Sequence, residues 1–392
     1  MRWARVIPLL LVASYAHICW PQTQEISFLA GDACLYSVVK RSASSLGWKL
    51  IGESASEKAK RHCHVIWVDR SFVNDKLFLS IQPWQRINHF PGMTNICRKT
   101  RLAQNLELMR KKFPYEFAFY PLTFILPQHS AAFKALFVNG HTKQPFIVKP
   151  DGSAQGKGIF LTKSLEDVQN LQMACVAQQY IRNPLLIDNK KFDLRIYVLV
   201  MSCWPLRLVR CLSFFQEHFF NNLTSTSASK YLFRDGLCRI CTEEYHRPNT
   251  SNMDDRCMHL TNYAVNKRSE KYEREETIED QGLGSKRSIS WLLAWLSEER
   301  GNDKANDMWS KIGDICVMTI LRWVLIRYSL VIASGLYTSD SVCAASCQLC
   351  RESTQMYGQS QIHRKMEACI EANALKYLDL MLWLTILSVR IW

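Results

Sequence analysis

The sequence predicts a mixed α/β protein, and three observations support this fold class. Short apolar stretches rich in β-branched and aromatic residues, such as His64–Asp69 and Pro145–Pro150, are typical of buried strands. These stretches alternate with segments of helical spacing, such as Cys34–Arg41 and Ile289–Glu299. The chain has 392 residues, of which 48% are hydrophobic and 21% charged, so it can bury the cores of about two or three domains.

The first residues, 1–30, do not match the pattern of the rest of the chain. The basic Met1–Arg5 followed by the apolar Val6–Ser14 is typical of a signal peptide, but a buried first strand or unrelated upstream coding sequence would look the same. The 15 cysteines are scattered, which favours free thiols in a reducing compartment over a disulfide framework. We expect a cytoplasmic protein and keep secretion as the alternative.

The net charge of +14 predicts attraction to something acidic, whether a nucleic acid, an anionic membrane or a protein surface. The sequence has no RNA-binding signature with interleaved aromatic residues and no zinc-finger spacing, so we expect no nucleic-acid partner. Cys238–Cys241 and Cys343–Cys350 have the short spacing of zinc ligands. They lie far apart in the chain, and a structural zinc site closes with four ligands, so we expect free thiols instead.

Residues 31–125 predict a small N-terminal α/β domain. Gly47–Ile51 is a second short strand, and Arg86–Thr94 is a loop with turn residues at its centre. The following Ile96–Lys112 is a strongly basic helix. Its charges form either a solvated face or a surface for an acidic partner.

The next segment predicts a hairpin with a glycine-rich turn. Asp151–Gly158 lies between the strands Pro145–Pro150 and Ile159–Thr162, with Lys149 and Lys157 as its cations. Glycines let the main chain approach an anion closely, so this turn is either a flap over phosphates or a plain surface turn. No helix pattern opens after the glycines, which argues against a P-loop and a Rossmann fingerprint.

Two strands rich in β-branched and aromatic residues follow, Ala174–Ile181 and Phe192–Val200. Residues two apart share one face of a strand, so Lys191, Asp193 and Arg195 point together. This face is either solvated or lined by a ligand. The apolar neighbouring sequence favours the ligand.

Polar residues mark three later segments. Within Cys257–Lys267, a strand is predicted whose one face carries His259, Thr261 and Tyr263. An Asp-Gly pair predicts a hairpin over Tyr231–Ile240. Two further stretches are predicted as loops, the first an insertion: residues 209–230 and 269–288.

The C-terminal part predicts helices. Ile289–Glu299 and Ala305–Arg322 have amphipathic spacing. Ile315–Tyr337 is mostly apolar, but its arginines favour a buried helix over a membrane span. Tyr377–Trp392 is too short and too charged for a membrane anchor, so we expect no membrane association.

Several of these segments, in the same order, resemble the tubulin tyrosine ligase-like family, and within it the glutamylases. The resemblance covers about residues 33–320. It implies an ATP-grasp fold over residues 126–320, following the N-terminal α/β domain, and ATP-dependent joining of an amino acid to the acidic tail of tubulin. The motifs that carry it are RINHFPGMTNICR (86–98), Lys149–Phe160, QQYI (178–181), KFDLRIYVLV (191–200) and MHLTNYAVNK (258–267).

The resemblance also implies roles for individual residues. The catalytic cations would be Lys149, Arg239 and Lys267. The free glutamate would contact Gln155, Arg239, Tyr263, Ala264 and Lys267. The ATP site would be formed by Lys149, Gln155, Gly156, Lys157, Gln178, Gln179, Tyr180, Ile181, Lys191, Phe192, Asp193, Thr261 and Asn262.

The sequence also departs from the family. The carboxylates and the asparagine that bind Mg²⁺ in the family are expected after these motifs and are not found, so no metal ligand is assigned. The C-terminal part of the fold is therefore predicted to be incomplete, with residues 321–392 as a non-family tail. Two interpretations stay open: an active ligase, and an inactive relative that binds tubulin or microtubules. Glycine also stays open as the transferred amino acid, and we expect a monomer at the cytoskeleton or in the cilium or its basal body.

Overall fold

Strands and helices alternate along the chain in a computed structural model. The structure describes residues 25–30, 34–52, 54–69, 81–82, 84–90, 92–138, 144–169, 171, 173–203, 206–209, 232–273, 284–333 and 385–391. These residues divide into two units. Unit 1 takes the described residues up to Met93, within 197–234 and within 324–388, and unit 2 takes those within 94–196, 235–323 and 389–391.

Unit 1 contains a four-stranded sheet of the order β2-β1-β3-β4, in which every neighbouring pair is parallel. Its strands are β1 (Ser27–Leu29), β2 (Lys49–Ile51), β3 (Val65–Ile66) and β4 (Arg86–Ile87), with helices α1 (Ser37–Ser45) and α2 (Glu57–His62) between them. Parallel strands need crossover connections, and α1 and α2 lie in those from β1 to β2 and from β2 to β3. The predicted α/β pattern is confirmed, although Arg86 and Ile87 belong to a strand rather than a loop, because they pair with β3.

The first sheet of unit 2 is four-stranded and antiparallel, with the order β5-β8-β6-β7. Its strands are β5 (Thr123–Leu126), β6 (Phe146–Pro150), β7 (Phe160–Thr162) and β8 (Cys175–Gln179). The predicted hairpin is confirmed, because β6 and β7 pair with each other on either side of the glycine-rich turn. We call that turn, Asp151–Gly158, the flap.

Alternation along the strands divides this sheet into two faces. One face is a dry core in which Phe124 and Phe146 pack against Phe133 of helix α5 (Ser130–Val138). The short helix α6 (Glu166–Gln169) adds Val168 to the same cluster. The opposite face therefore presents the polar pair formed by Lys149 and Gln178.

The basic helix forms in two pieces, α3 (Thr94–Cys97) and α4 (Lys99–Lys112). Arg98 interrupts them because its backbone is extended. The buried face of α4 carries Ala103, which packs against Ile125 and Val176 of the sheet. The predicted helix is thus confirmed, with a break near its start.

The other sheet has six strands. The order is β11-β10-β12-β13, and both β9 and β14 also pair with β10. The strands are β9 (Leu186–Ile187), β10 (Lys190–Cys203), β11 (Leu206–Val209), β12 (Leu232–Glu244), β13 (Lys286–Ser288) and β14 (Thr385–Ile391). Except for Val209, the predicted insertion of residues 209–230 lies outside the described residues.

The hairpin predicted over Tyr231–Ile240 is wrong, because β12 runs without a turn through Gly236. A Cβ atom on Gly236 would lie 2.5 Å from the backbone oxygen of Arg195 in β10, and 3.0 Å from Cγ1 of Ile289. Glycine is required at this point for the close approach of two strands rather than for a turn.

Gly236→Ala is expected to lower the free energy of unfolding by about 1–3 kcal/mol, because a methyl group there forces a shift of backbone atoms. Urea unfolding of the two proteins measures the difference. Gly52→Ala is the matched control, since a Cβ atom on Gly52 meets nothing within 4 Å. Equal losses for the two variants would contradict the close-approach explanation.

The strand predicted within Cys257–Lys267 is also wrong. This segment forms two single-turn helices, α7 (Arg256–His259) and α8 (Tyr263–Asn266), joined by extended residues. The Asp255 side chain caps α7 by accepting hydrogen bonds from two backbone N–H groups. Asn266 is buried and bonds Thr242, Leu260 and Asn262, so its amide fixes the connection between the helices.

The predicted C-terminal helices are confirmed and are longer than expected. They are α9 (Ile289–Arg300) and α10 (Asn302–Ala333). Among the residues that the structure describes, no helix has both the length and the apolar character that a membrane span requires. Residues 334–337 of the predicted apolar helix, and the Tyr377–Trp392 segment apart from β14, lie outside the described residues.

Candidate functional site

A cleft lies on the polar face of the antiparallel sheet in unit 2. Many of the residues predicted to bind ATP line it together, although they come from separate strands. The residues that line the cleft are Pro121, Ile147, Lys149, Gln178, Gln179, Tyr180, Ile181, Pro184, Lys191 and Phe192.

Lys149 is held in place on this face. Its Nζ donates a hydrogen bond of 2.8 Å to Oε1 of Gln178. The Gln178 amide in turn donates to the hydroxyl of Thr123 at 2.9 Å, so the glutamine cannot rotate away without losing both bonds. The arrangement presents an oriented ammonium group to the cleft, which suits a phosphate group.

Lys191 is the buried cation of the cleft. Its side chain donates to the Tyr180 hydroxyl at 2.8 Å and to the backbone oxygen of His259 at 3.0 Å, and its Nζ lies 4.2 Å from the centre of the Tyr180 ring. The residue is only 4% exposed. Burial lowers the pKa of the Lys191 ammonium from 10.5 to about 8.

His259 connects this lysine to the following motif. Its ring is fully buried, with Nε2 2.9 Å from the backbone oxygen of Asn252 and Nδ1 3.1 Å from the Tyr180 hydroxyl. Since a carbonyl oxygen only accepts, Nε2 carries the proton and Nδ1 accepts from the tyrosine. Burial lowers the pKa of His259, which keeps the ring neutral. Sequence reasoning noted His259 only as a residue of a strand face and assigned it no role.

The flap touches the segment around α8. A Cβ atom on Gly156, whose φ is 81°, would lie 3.0 Å from Val265 and 3.2 Å from the Asn262 side chain. The backbone oxygen of Gly156 also accepts a 2.8 Å hydrogen bond from Arg256. Gly156 and Asn262, which were both predicted to bind the nucleotide, are therefore neighbours. Gln155 and Lys157 are exposed in the flap, as is Ala154.

Thr261 carries an unused hydrogen-bonding group. The residue is 2% exposed, and its hydroxyl has no hydrogen-bond partner among the described residues. Leaving such a group unpaired costs about 1–3 kcal/mol. A ligand with oxygen atoms beside Thr261 would satisfy the hydroxyl, so this residue fits the nucleotide that the sequence predicts.

Asp193 and Arg239 form a buried ion pair with two hydrogen bonds. Nε of Arg239 lies 2.8 Å from one carboxylate oxygen of Asp193, and Nη2 bonds the other oxygen. The exposed fractions of the two side chains are 0% for Asp193 and 10% for Arg239. The pair joins a residue predicted for the nucleotide to one predicted for the free glutamate. Arg195, predicted on the same strand face, is only partly buried.

A cluster of cations surrounds Tyr263 at the start of α8. Nζ of Lys286 lies 3.7 Å from the centre of the tyrosine ring, and Nζ of Lys267 lies 5.5 Å from it. Lys286 also stands opposite Arg239 in the β12–β13 ladder, which places both side chains on one face of the sheet. Ala264, the next residue of α8, is half-buried.

Lys286 was missed by sequence reasoning, which placed it in a charged loop. Only its pairing with β12 shows that it lies beside Arg239. The sequence offers only a short polar run, Ser285–Ser288, directly ahead of an apolar helix.

The described residues hold no group of three or more histidine, cysteine or acidic side chains that could bind a metal ion. Cys238 and Cys241 are buried free thiols, and burial raises the pKa of Cys241 to about 12. The second predicted thiol set, Cys343–Cys350, lies outside the described residues. Mg²⁺ usually needs only one or two carboxylates beside the phosphates of a nucleotide, and no residue of the described part of the chain is assigned to it.

Comparison with known proteins gives both a family and close relatives. The chain is 38% identical over 289 residues to tubulin polyglutamylase TTLL13 of Mus musculus, which covers 74% of the chain and 31% of the relative. It is 35% identical over 314 residues to tubulin polyglutamylase TTLL6 of Homo sapiens, covering 80% and 31%. It is 39% identical over 287 residues to tubulin polyglutamylase TTLL7 of Xenopus tropicalis, covering 71% and 28%. The chain thus spans about a third or less of each relative's length.

The sequence model of the Tubulin-tyrosine ligase family matches residues 79–209 and 222–340. The unmatched residues between the two segments fall inside the predicted insertion. The match continues past Leu321, although residues 321–392 were predicted to be a non-family tail. The four-stranded antiparallel sheet of unit 2 and the cleft lie within the matched residues, whereas β1, β2 and β3 of the parallel sheet precede them. The chain belongs to the tubulin-tyrosine ligase family.

Proposed function

We propose that this chain is an ATP-dependent ligase of the ATP-grasp type that adds glutamate to the glutamate-rich C-terminal tail of tubulin. The observation that carries the proposal is the cleft of unit 2, in which Lys149 and Lys191 meet Gln178 and Tyr180. The two cations and the apolar residues of the cleft suit a nucleotide with its phosphates. The hydroxyl of Thr261, the residue before Asn262, has no hydrogen-bond partner among the described residues and can bond the same ligand. The relatives that match the chain are named tubulin polyglutamylases.

The cation cluster around Tyr263 supports glutamate rather than glycine as the transferred amino acid. Glutamate has a second carboxylate that glycine lacks. Arg239, which is paired with Asp193, Lys267 and Lys286 bring three cationic side chains to this part of the sheet and the tyrosine ring. A group of cations favours the more anionic amino acid.

In the proposed reaction, ATP supplies a phosphoryl group that turns a tail carboxylate into an acyl phosphate and leaves ADP. The amine of the incoming glutamate then attacks the acyl carbon, forming an amide bond and releasing phosphate. The chain's own residues would position the reactants and neutralise charge: Lys149 and Lys191 at the phosphates, and Arg239 with the lysines of the cation cluster at the glutamate carboxylates. No step is assigned to Mg²⁺, since no described residue is assigned as its ligand.

The acidic tail of tubulin would be attracted by the positive charge of the chain, to which the exposed Lys111 and Lys112 at the end of α4 contribute. Such a substrate places the protein at the cytoskeleton, including microtubules of the cilium. We propose that it acts as a monomer.

The proposal predicts that the purified chain incorporates labelled glutamate into microtubules in the presence of Mg-ATP, and that labelled glycine is incorporated at least about tenfold more slowly. Microtubules from which the C-terminal tails have been removed by protease are the control and should take up no label. Nucleotide binding without incorporation would indicate an inactive tubulin-binding relative instead. Equal incorporation of glycine would overturn the assignment of glutamate.

A further inference from the structure

Lys99, the first residue of helix α4, is directed at the backbone of the flap. Its Nζ donates hydrogen bonds to three carbonyl oxygens, those of Pro150 at 2.7 Å, Asp151 at 3.2 Å and Ser153 at 2.8 Å. One ammonium group thus satisfies the carbonyl of Pro150, the last residue of β6, and two carbonyls of the flap. A lysine that only solvates a helix face would not converge on main-chain atoms more than fifty positions away in the chain.

A side chain of the flap also forms hydrogen bonds with the helix. The Asp151 carboxylate accepts a 2.9 Å hydrogen bond from the backbone N–H of Thr100 and a 3.0 Å bond from its hydroxyl. Arg98, which stands at the N-cap of α4, supplies no side-chain cap. Asp151 therefore caps the helix from outside, where a negative charge also complements the helix dipole.

The position of Lys99 is unfavourable for the helix itself, since a cation at a helix N-terminus opposes the dipole. The three carbonyl contacts and the capping carboxylate offset this cost. We call the four residues Lys99, Thr100, Pro150 and Asp151, which fix the base of the flap, the clasp. The far end of the flap is held separately, by the hydrogen bond from Arg256 to Gly156.

We propose that the clasp presets the flap for the nucleotide, so that Lys99 is a positioning residue for phosphate binding rather than part of a surface for an acidic partner. The carbonyls of Pro150, Asp151 and Ser153 turn toward Lys99. A loop whose carbonyls are drawn to one side can offer its N–H groups to an anion on the other. The inference rests on the proposed function only in taking the ligand of the cleft to be a nucleotide.

The first test is hydrogen exchange of the full chain without nucleotide. In Lys99→Met, the amides of residues 152–158 are expected to exchange at least about tenfold faster, because the base of the flap loses its anchor. Lys111→Met removes the same charge from an exposed position of the same helix and should leave the exchange of the flap unchanged. Flap exchange that is equal in the two variants would overturn the proposal.

The second test is the affinity for ADP and for ATP, measured by calorimetry. Lys99→Met should weaken nucleotide binding about tenfold, and Lys111→Met should not. Asp151→Ala removes the other half of the clasp and is expected to reproduce both effects, which tests the idea even where Lys99→Met lowers the yield of folded protein. A Lys99→Met protein with wild-type nucleotide affinity would refute it.

These tests separate the inference from the proposed function. A wild-type protein that binds nucleotide but transfers no glutamate would refute the ligase assignment and leave the clasp intact. Normal glutamate transfer by the wild type, together with unchanged flap exchange in both clasp variants, would refute the clasp and leave the ligase assignment intact.

Discussion

Asp193→Ala is expected to lower the free energy of unfolding by about 3–5 kcal/mol and to abolish glutamate incorporation. The substitution leaves the Arg239 guanidinium buried without its carboxylate, and an unpaired buried charge is among the most costly single changes in a protein. Both hydrogen bonds of the pair disappear together. Chemical denaturation of the full chain measures the stability, and the labelled-glutamate assay measures the transfer.

A double variant separates the structural from the functional role of this pair. Asp193→Leu with Arg239→Met replaces the two charges by apolar side chains of similar length, and such replacements of buried ion pairs are often neutral or stabilising. The double variant should therefore recover most of the lost stability and still transfer no glutamate. Recovery of transfer would show that Arg239 does not contact the amino acid. If the double variant is as unstable as Asp193→Ala, packing rather than the unpaired charge determines the stability of this site.

The parts of the fold that sequence reasoning predicted are those defined by local patterns. The β6–β7 hairpin follows from two apolar runs on either side of a glycine-rich turn, and all of that information lies within 145–162. The grouping of Lys191 with Asp193 follows from the two-residue period of a strand. Both are buried, whereas Arg195 of the same face is only partly buried. These signals do not depend on residues elsewhere in the chain.

The predictions that failed depend on partners that are distant in sequence. An Asp-Gly pair is a common turn signal, but Gly236 serves instead to let the backbone of Arg195 approach. The polar alternation of Cys257–Lys267 fits a strand, whereas the capping carboxylate of Asp255 and the amide of Asn266 stabilise two single-turn helices. The local sequence of these segments is compatible with either structure, and contacts with distant residues decide between them.

The candidate site shows the same contrast between local patterns and partners distant in sequence. The family motifs located Lys149 and Gln178, whereas the roles of Lys99 and Lys286 could not be predicted. Lys99 looks like one cation of a basic helix until its three carbonyl partners are seen. Lys286 looks like part of a charged loop until the sheet pairs it with Arg239. Contacts with backbone atoms, or with residues distant in the chain, leave no local pattern in the sequence.

Lys191→Met is expected to weaken ATP binding at least about tenfold at neutral pH, because the cleft loses its buried cation. The loss should not come from unfolding. Burial lowers the pKa of Lys191 to about 8, which means that the folded state disfavours the charged form and that the ammonium costs stability below that pH. We therefore expect Lys191→Met to be at least as stable as the wild type at neutral pH, while its affinity for the nucleotide falls.

The pH dependence follows from the same pKa. A bound triphosphate favours the ammonium form, so ATP affinity of the wild type should decline as the pH rises through about 8, where free Lys191 loses its proton. The stability of the wild type should move in the opposite direction, rising between about pH 8 and the ordinary pKa of lysine, since the folded state is the one that releases the proton first. Calorimetric titrations with ATP at about pH 7, 8 and 9 measure the decline, with the exposed Lys134→Met as a control for lysine loss elsewhere in unit 2.

Lys191→Met should show no decline of its own over this range, because its other neighbours, Tyr180 and His259, titrate outside it: burial raises the pKa of Tyr180 and lowers that of His259. A wild-type affinity that is flat across the range, or a variant that follows the wild type, would mean that the charge of Lys191 does not contact the nucleotide.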